Sequence, residues 1–350
     1  MGTPVWGLLF VFIMNKYQYL LVDLSLLLSR NVFACSRGKE VGEYTSGDVV
    51  KMTIQTLNKI ARDYGITADK IILLADTWDP DLGGYYRTWL LGGNYKDSRS
   101  WMTPEKLQEL SENSNITQKE LEKAKRELYQ NQVKQDAKRI LREEAFKIGL
   151  PCFGVSGLEY DDLCYIISSL LYSSGVSKKS VIVTKDSDCM FCTSPAVDYF
   201  RLPVGGSSPE IHTYTDIYTT QVPQSLRDMG LSLYSYKSMW DSLDGGHNDM
   251  RKTRKPRTNL EDVITKIMSG DYSGVKDKEL FLKQYETFQL EKYPMIGQAV
   301  SEISKKLPII GHLGSVSEFH DFCDTFGISD MSDSYYTSFI TRFSQKLFTE

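Results

Sequence analysis

Three apolar segments of this sequence end in acidic residues that could share one divalent cation. The segments cover residues 19–23, 71–76 and 181–188, and the acids at their ends are Asp23, Asp76, Asp186 and Asp188. Crowded carboxylates repel one another unless a hard cation neutralises them, and Mg²⁺ takes oxygen ligands while retaining several waters. The sequence therefore predicts metal-assisted phosphodiester chemistry.

A second acidic group, Glu159, Asp161 and Asp162, precedes an apolar helix predicted to end near residue 172. Ser156 and Glu159 have the spacing of a capping box, and Asp161 and Asp162 suit the first turn of a helix electrostatically. For Asp162, support of a metal site and interaction with the helix dipole are equally good interpretations.

The elements that must position these acids are those of an α/β fold with a mainly parallel central sheet flanked by helices. Strands are predicted at 18–23, 71–75, 152–155 and 181–185, with a crossover helix at 48–64. An open parallel sheet has the carboxyl ends of its strands along one edge, where ligands bind. We expect the acids to converge there.

The remaining segments are predicted from their turn and capping residues. Thr103-Pro104 and the Thr117–Glu120 capping box mark two helix starts, with the second helix running as far as Lys147. Residues 195–236 are typical of loops with short strands, and the chain is predicted to be helical from Asn259, with a domain boundary near 258.

The composition is typical of an ordinary globular protein. The 350 residues are 41% hydrophobic with a formal charge of −4, which fits an ordinary globular core. Six cysteines without a secretory signature predict reduced thiols and a cytoplasmic location. The apolar segment 5–14 is too short to span a bilayer, so no membrane association is expected. We expect translation to start at Met14 rather than Met1, with an extra edge strand as the competing interpretation.

In chain order, the acidic motifs are Leu21-Val22-Asp23, Leu74-Ala75-Asp76 with Gly84-Tyr85-Tyr86-Arg87, Glu159-Tyr160-Asp161-Asp162, Lys185-Asp186-Ser187-Asp188 and Ser269-Gly270-Asp271. This ordered set resembles the 5′-nuclease superfamily of flap endonucleases and phage 5′ exonucleases, most closely its branch of T-even bacteriophage ribonucleases H. The resemblance implies a PIN-like 5′-nuclease core at 15–258, with a helical arch at about 95–149. A helix-hairpin-helix type domain that binds duplex DNA is implied at 259–350.

The resemblance also implies a metal site for two Mg²⁺ ions, with Mn²⁺ as a substitute. Asp23, Asp76, Asp161 and Asp186 would surround the first ion with Glu159 nearby, and Asp188 and Asp271 would serve the second. The phage pattern carries one more aspartate where this chain has Gly274, which weakens the second set, and Asp277 is a candidate replacement.

Basic residues are assigned by the same resemblance. Arg87 and Lys96 would meet the scissile phosphate. The candidates for contact with nucleic acid are Arg99, the basic run of Arg251, Lys252, Arg254 and Lys255, and Lys276 and Lys278.

The implied activity is Mg²⁺-dependent removal of RNA primers and adjacent DNA from 5′ ends, or cleavage of 5′ flaps, in phage replication. DNA and RNA–DNA hybrids are the expected partners, with the phage single-stranded DNA-binding protein and sliding clamp as further candidates. One alternative is a PIN-like endonuclease acting on single-stranded RNA. The other is a nuclease-derived DNA-binding protein with impaired catalysis, which only Gly274 supports.

Overall fold

The computed structural model describes residues 17–63, 70–91, 102–113, 115–175, 179–202, 210–243, 259–306, 315–328 and 331. Several predictions concern residues outside these ranges: the translation start at Met1 or Met14, the basic residues Lys96 and Arg99, and the run of Arg251, Lys252, Arg254 and Lys255.

The described strands form one six-stranded sheet in the order β3-β2-β1-β4-β5-β6. The first five strands are parallel and β6 is antiparallel to β5, so the predicted mainly parallel sheet is confirmed. The strand bounds are Tyr17–Asp23 (β1), Lys70–Leu74 (β2), Cys152–Phe153 (β3), Lys179–Thr184 (β4), Val197–Arg201 (β5) and Glu210–His212 (β6).

The strand order reverses direction between β1 and β4. From β1 the chain proceeds outward to β2 and β3, then returns to the other side of β1 to add β4 and β5. Such a switch point leaves a crevice beyond the carboxyl ends of the two strands, where open α/β sheets bind ligands. Asp23 ends β1, and Asp186 follows β4 by two residues.

Helices cover both faces of the sheet, which explains why its central strands are continuous apolar runs rather than alternating ones. Leu21 and Ile72 belong to one buried cluster, and their neighbours Leu20 and Ile71 belong to the other. The helices are Leu24–Ser36 (α1), Ser46–Asp63 (α2), Tyr86–Leu91 (α3), Pro104–Glu112 (α4), Gln118–Glu143 (α5), Tyr160–Ser173 (α6), Tyr214–Gln221 (α7), Gln224–Asp228 (α8), Leu233–Leu243 (α9), Leu260–Met268 (α10), Lys278–Thr287 (α11), Ile296–Lys306 (α12) and Val316–Thr325 (α13). Short 3-10 helices cover Ala145–Ile148, Ser187–Cys192 and Leu290–Lys292.

The structure differs from the predicted elements in three places. Helix α1 begins directly after Asp23, where no helix is predicted. Residues 214–243 form three helices rather than loops, because apolar residues such as Ile217, Leu226 and Leu233 are buried in the core. Helix α5 ends at Glu143, and a 3-10 turn replaces its expected last turn.

The helices after residue 259 share the core of the sheet. Val263, Phe281 and Tyr293 belong to the same buried cluster as Leu21, and Phe319 belongs to the cluster on the opposite face. A separate unit at 259–350 stays a prediction. Among the described residues, none of the helices has the length and apolar character needed to cross a membrane.

Candidate metal centre

Three aspartates lie at the carboxyl ends of three adjacent parallel strands. Asp23 is the last residue of β1, Asp76 follows β2 by two residues, and Asp186 follows β4 by two residues. Because β2 and β4 flank β1, the three acids come to one edge of the sheet, as the strand pattern predicts. Asp23 is buried, Asp76 is half-buried and Asp186 is exposed. The three acids therefore extend from the core of the protein to its surface.

Thr184, the last residue of β4, joins two of these acids. Its hydroxyl donates a 3.0 Å hydrogen bond to Asp23 Oδ2 and accepts a 3.1 Å hydrogen bond from the main-chain N–H of Asp186. Asp23 Oδ1 accepts a 2.9 Å bond from the N–H of Leu26 and thereby caps α1. The bonds from Thr184 and Leu26 hold both oxygens of the Asp23 carboxylate at the sheet edge.

The ionised form of Asp23 is costly in this environment. Burial, together with the neighbouring carboxylates of Asp76 and Asp186, raises the pKa of the Asp23 carboxyl to about 7, against the hydrogen bonds from Leu26 and Thr184. Removal of a carboxylate from water disfavours its charged form unless a cation compensates. Carboxylate oxygens of this kind are the donors that a hard divalent cation prefers.

The acidic group at 159–162 begins helix α6. Glu159 is the N-cap: its side chain accepts from the N3 backbone, and Asp162 Oδ2 accepts a 3.1 Å hydrogen bond from the Glu159 N–H. The predicted capping box from Ser156 to Glu159 is wrong by three residues. Gly157 has φ +80°, and this left-handed turn places Ser156 outside the helix.

The main-chain N–H of Tyr160 connects the two acidic groups. It donates a 2.7 Å hydrogen bond to Asp76 Oδ1, and the Tyr160 hydroxyl donates a 3.1 Å bond to the carbonyl of Leu21. The start of α6 is therefore fixed to the ends of both β2 and β1. Asp161, next in sequence, keeps 28% of its side chain exposed beside this junction.

Arg87 is buried among the acids of α6. Its guanidinium donates to Glu159 Oε2 at 3.0 Å, Asp161 Oδ2 at 2.9 Å and Asp162 Oδ1 at 2.5 Å, and its side chain is 4% exposed. Glu159, Asp161 and Asp162 are also the acids whose carboxylate oxygens, within the described part of the chain, all lie within 4.8 Å of one another. Burial raises the pKa of Asp162 well above its usual range, and Arg87 opposes that rise.

These contacts distinguish the acids by what each can bind. Glu159 and Asp162 are buried and hold the helix cap and Arg87, so their oxygens are committed to the protein itself. Asp161 also contacts Arg87 but is the member of this group that stays partly exposed. Arg87, predicted to contact the scissile phosphate, lies in the described structure against carboxylates; its role in the chemistry stays a prediction.

The acids assigned to a second ion, Asp188 and Asp271, lie on different elements and have different local partners. Asp188 lies on the 3-10 helix after β4, where its N–H donates a 3.0 Å bond to Asp186 Oδ1 and its carboxylate contacts Lys237 Nζ at 3.4 Å. Asp271 is exposed and accepts hydrogen bonds from the N–H and hydroxyl of Ser273 at 2.8 and 3.0 Å. Those bonds lower the Asp271 pKa.

Two lysines of α5 that sequence reasoning missed lie beside the strand-end acids. Lys138 Nζ donates a 2.8 Å hydrogen bond to the main-chain carbonyl of Asp76. Burial lowers the pKa of both Lys134 and Lys138, and the carboxylates of Asp76 and Asp23 are close enough to oppose that shift. Their i, i+4 spacing on a predicted helix was the available signal, with Arg142 one turn further on.

Lys276 and Lys278, predicted to contact duplex DNA, are both exposed at the start of α11. They line one surface groove together with Leu243 and Phe281. Lys278 Nζ lies 4.4 Å from the centre of the Tyr272 ring. The six cysteines are free thiols, with Cys189 and Cys192 buried in the 3-10 helix after β4.

No protein-family model matches the chain, and no curated protein matches it. Several solved structures are similar in fold. The D15 protein of bacteriophage T5, co-crystallised with metal ions, has a TM-score of 0.47 at 14% identity, with 94% of this chain and 98% of that chain covered.

Human GEN1 in complex with Holliday junction DNA has a TM-score of 0.43 at 13% identity, covering 98% of this chain and 77% of that chain. The catalytic core of Rad2 with a DNA substrate has a TM-score of 0.43 at 12% identity, covering 95% and 94%. A second structure of the T5 protein, as a flap endonuclease variant in complex with DNA and metal ions, has a TM-score of 0.47 at 12% identity. At these identities we infer the function from the side chains of this chain.

Proposed function

We propose that this protein is a divalent-metal-dependent nuclease that hydrolyses phosphodiester bonds at the 5′ ends or 5′ flaps of DNA. The observation that supports it best is the meeting of Asp23, Asp76 and Asp186 at adjacent strand ends, beside the fold's switch point. The hydrogen bond from Tyr160 to Asp76 adds the half-exposed Asp161 to this group. Such a set of oxygen donors suits Mg²⁺, with Mn²⁺ as a substitute.

In this proposal each acid has a role that follows from its exposure. Asp76, Asp161 and Asp186 retain access to solvent and would hold the ion together with the buried Asp23. Glu159, Asp162 and Arg87 are positioning residues, because their buried ion pairs fix the start of α6. A bound divalent ion supplies an activated water and polarises the phosphoryl oxygen in this class of hydrolysis.

The positive charge needed by a phosphate comes from α5. Lys134 and Lys138 lie beside the acids, where a phosphodiester bound at the ion would meet their ammonium groups. The buried residues of α5 are concentrated at its carboxyl end, from Val133 to Leu141, whereas its first turns are mostly exposed. We assign helix α4 and the start of α5 to the predicted arch over a single strand.

The finer assignment follows the resemblance. We propose removal of RNA primers and adjacent DNA during phage replication, with duplex DNA contacted by Lys276 and Lys278. Recognition of RNA–DNA hybrids and contacts with a single-stranded DNA-binding protein or sliding clamp belong to the same proposal. Two alternatives differ from this proposal. A PIN-like ribonuclease would cleave single-stranded RNA, and a DNA-binding protein without catalysis would bind duplexes without cleaving them.

A substrate panel separates these candidates. We would incubate the protein in Mg²⁺ with labelled 5′-flap, nicked and RNA-primed duplexes and with single-stranded RNA, beside the Asp186→Asn variant. The proposal predicts cleavage near the 5′ junction of the duplex substrates and none by the variant. Cleavage of single-stranded RNA alone would favour the PIN-like enzyme, and duplex binding without cleavage would favour the inactive DNA-binding protein.

A further inference from the structure

Lys237 of α9 is held as a fixed cation next to Asp188. Its ammonium contacts Asp188 Oδ1 at 3.4 Å and forms an ion pair with Asp241, one helical turn later. The same nitrogen lies 5.5 Å from the centre of the Phe191 ring, on the 3-10 helix that carries Asp188. Only 14% of the lysine side chain is exposed, so the charge is built into the packing of α9.

We propose that the Lys237 ammonium takes the place of a second divalent ion at Asp188. The protein would then use one ion, held by Asp23, Asp76 and Asp186 with Asp161, and a permanent lysine charge on the Asp188 side. This inference rests on the proposed metal-dependent function and specifies how many ions that function needs. It replaces the two-ion arrangement that the sequence resemblance implies.

The surroundings of Lys237 support a permanent charge. A lysine that loses most of its hydration is costly to keep ionised unless an acid compensates. Asp241 is 2% exposed and supplies that compensation from the same helix, while the face of the Phe191 ring attracts a cation. The Lys237 ammonium therefore has two carboxylate partners, Asp241 and Asp188.

Lys237 is also close enough to affect the metal centre. The Asp188 N–H donates a 3.0 Å hydrogen bond to Asp186 Oδ1, so the residue that contacts Lys237 also orients a proposed ligand. An ammonium at this position would oppose the negative charge of a phosphodiester on the side of Asp188. A permanently held cation there has no need to be recruited from solution.

Asp271 and Gly274 offer a second ion fewer acids than the phage pattern does. Asp271 has its carboxylate bonded to Ser273, and its main-chain N–H donates to the Lys266 carbonyl. The aspartate expected from the phage pattern is Gly274. A Cβ added there would lie 3.0 Å from Val263 Cγ2, so an acidic residue requires Val263 to shift. With one acid fewer at position 274, a second ion would depend on Asp188, the carboxylate that Lys237 contacts.

The experiment counts ions without substrate. Mn²⁺ would be titrated into the purified protein and followed by electron paramagnetic resonance and calorimetry. The variants are Lys237→Arg, which keeps the charge, and the double variant Lys237→Met with Asp241→Asn, which leaves no buried carboxylate unpaired. Lys179→Met is the matched control, because Lys179 pairs at 2.9 Å with Asp198, another buried aspartate, away from the metal centre.

We expect one tightly bound ion in the wild type, in Lys237→Arg and in the Lys179 control, and two ions in the double variant. The order of the cleavage rate in Mg²⁺ should rise from first to second in the double variant alone. Two comparable ions in the wild type, or a single ion in the double variant, would overturn the inference and leave the proposed nuclease intact. Absence of ion binding in the folded wild type would overturn both.

Discussion

The main-chain N–H of Tyr160 lies 2.7 Å from Asp76 Oδ1 and joins the first turn of α6 to the end of β2. The positive end of the helix dipole favours a carboxylate at this position. Asp76 therefore belongs both to the acids of the sheet edge and to those of the helix. Through this one contact, residues far apart in sequence form one candidate metal centre.

Asp76→Asn should separate these two functions of Asp76. The amide oxygen can still accept the hydrogen bond from Tyr160, so we expect little change in the free energy of unfolding. The lost charge should weaken Mn²⁺ binding by at least about tenfold, as for loss of a ligand or its support. Calorimetric titration and urea unfolding would measure both quantities, and unchanged Mn²⁺ affinity would exclude Asp76 as a ligand.

Thr184 is expected to act on metal binding through its hydroxyl alone. Thr184→Val keeps the shape of a fully buried side chain but removes the bonds to Asp23 and to the Asp186 N–H. We expect Mn²⁺ affinity to fall by about 10- to 100-fold, the usual effect of a lost supporting group. Thr184→Ser, which restores the hydroxyl, should recover most of the affinity; equal losses in both variants would contradict this role.

Arg87 should matter chiefly for folding. Arg87→Met leaves Glu159 and Asp162 buried without the guanidinium that contacts both. Breaking a buried ion pair by removing one partner costs about 3–5 kcal/mol. Chemical denaturation should therefore show a large loss of stability, while the exposed Arg139→Met serves as a control with little effect. Full stability with lost cleavage would instead support the predicted contact with phosphate.

The pKa of Asp23 predicts how stability depends on pH. Its folded pKa of about 7 lies above the ordinary 3.8, so the folded state binds more protons than the unfolded state between these values. Stability contributed by this group is present at low pH and is lost as pH rises towards about 7. Without divalent ions, Asp23→Asn should therefore melt at a higher temperature than the wild type above neutral pH.

That difference should vanish as the pH is lowered towards 4, and Mg²⁺ should raise the melting temperature of the wild type more than that of Asp23→Asn. Thermal melts across pH, with and without Mg²⁺, provide the comparison. If the wild type melts at a higher temperature than Asp23→Asn at every pH without divalent ions, the ionised Asp23 carboxylate does not destabilise the folded protein and the prediction is wrong.

Lys134 and Lys138 should contribute to contact with the phosphate backbone. Replacement of either by Gln should reduce DNA affinity and lower the slope of log affinity against log salt by about one. Lys147, an exposed lysine beyond the end of α5 that pairs with Glu144, is the matched control and should show a smaller change. Fluorescence anisotropy with a 5′-flap duplex in Ca²⁺ measures the slope, and identical slopes in all three variants would argue against this contact.

The acids at the strand ends could be predicted from the sequence, because each of them follows an apolar run typical of a buried strand. Buried parallel strands are continuous apolar runs, and Asp23, Asp76 and Asp186 are each the first acid after such a run. Their convergence follows from parallel topology, whatever the details of packing. The capping box of α5 at Thr117 and Glu120 was predictable for the same reason and is present.

Contacts between distant segments could not be predicted in this way. Lys237 meets Asp188 only because α9 packs on the 3-10 helix after β4, and residues 214–243 have too many Tyr, Ser and Thr residues to show helical periodicity clearly. Helix α1 was missed because its apolar residues directly continue the strand before it. The burial of Arg87 likewise depends on three acids some 70 residues away in sequence.

The central claim is that Asp23, Asp76 and Asp186 bind the metal ion that the protein needs to cleave DNA at a 5′ end or 5′ flap. Single-turnover cleavage of a labelled 5′-flap duplex in Mg²⁺ tests it most directly, comparing the wild type with Asp186→Asn. Asp216→Asn is the control, because Asp216 is also exposed and lies in the first turn of α7, where its carboxylate accepts a hydrogen bond from the Thr213 hydroxyl. The account predicts a loss of at least about a hundredfold for Asp186→Asn, as for removal of a preorganised catalytic group, and none for Asp216→Asn. Equal rates for both variants and the wild type would contradict it.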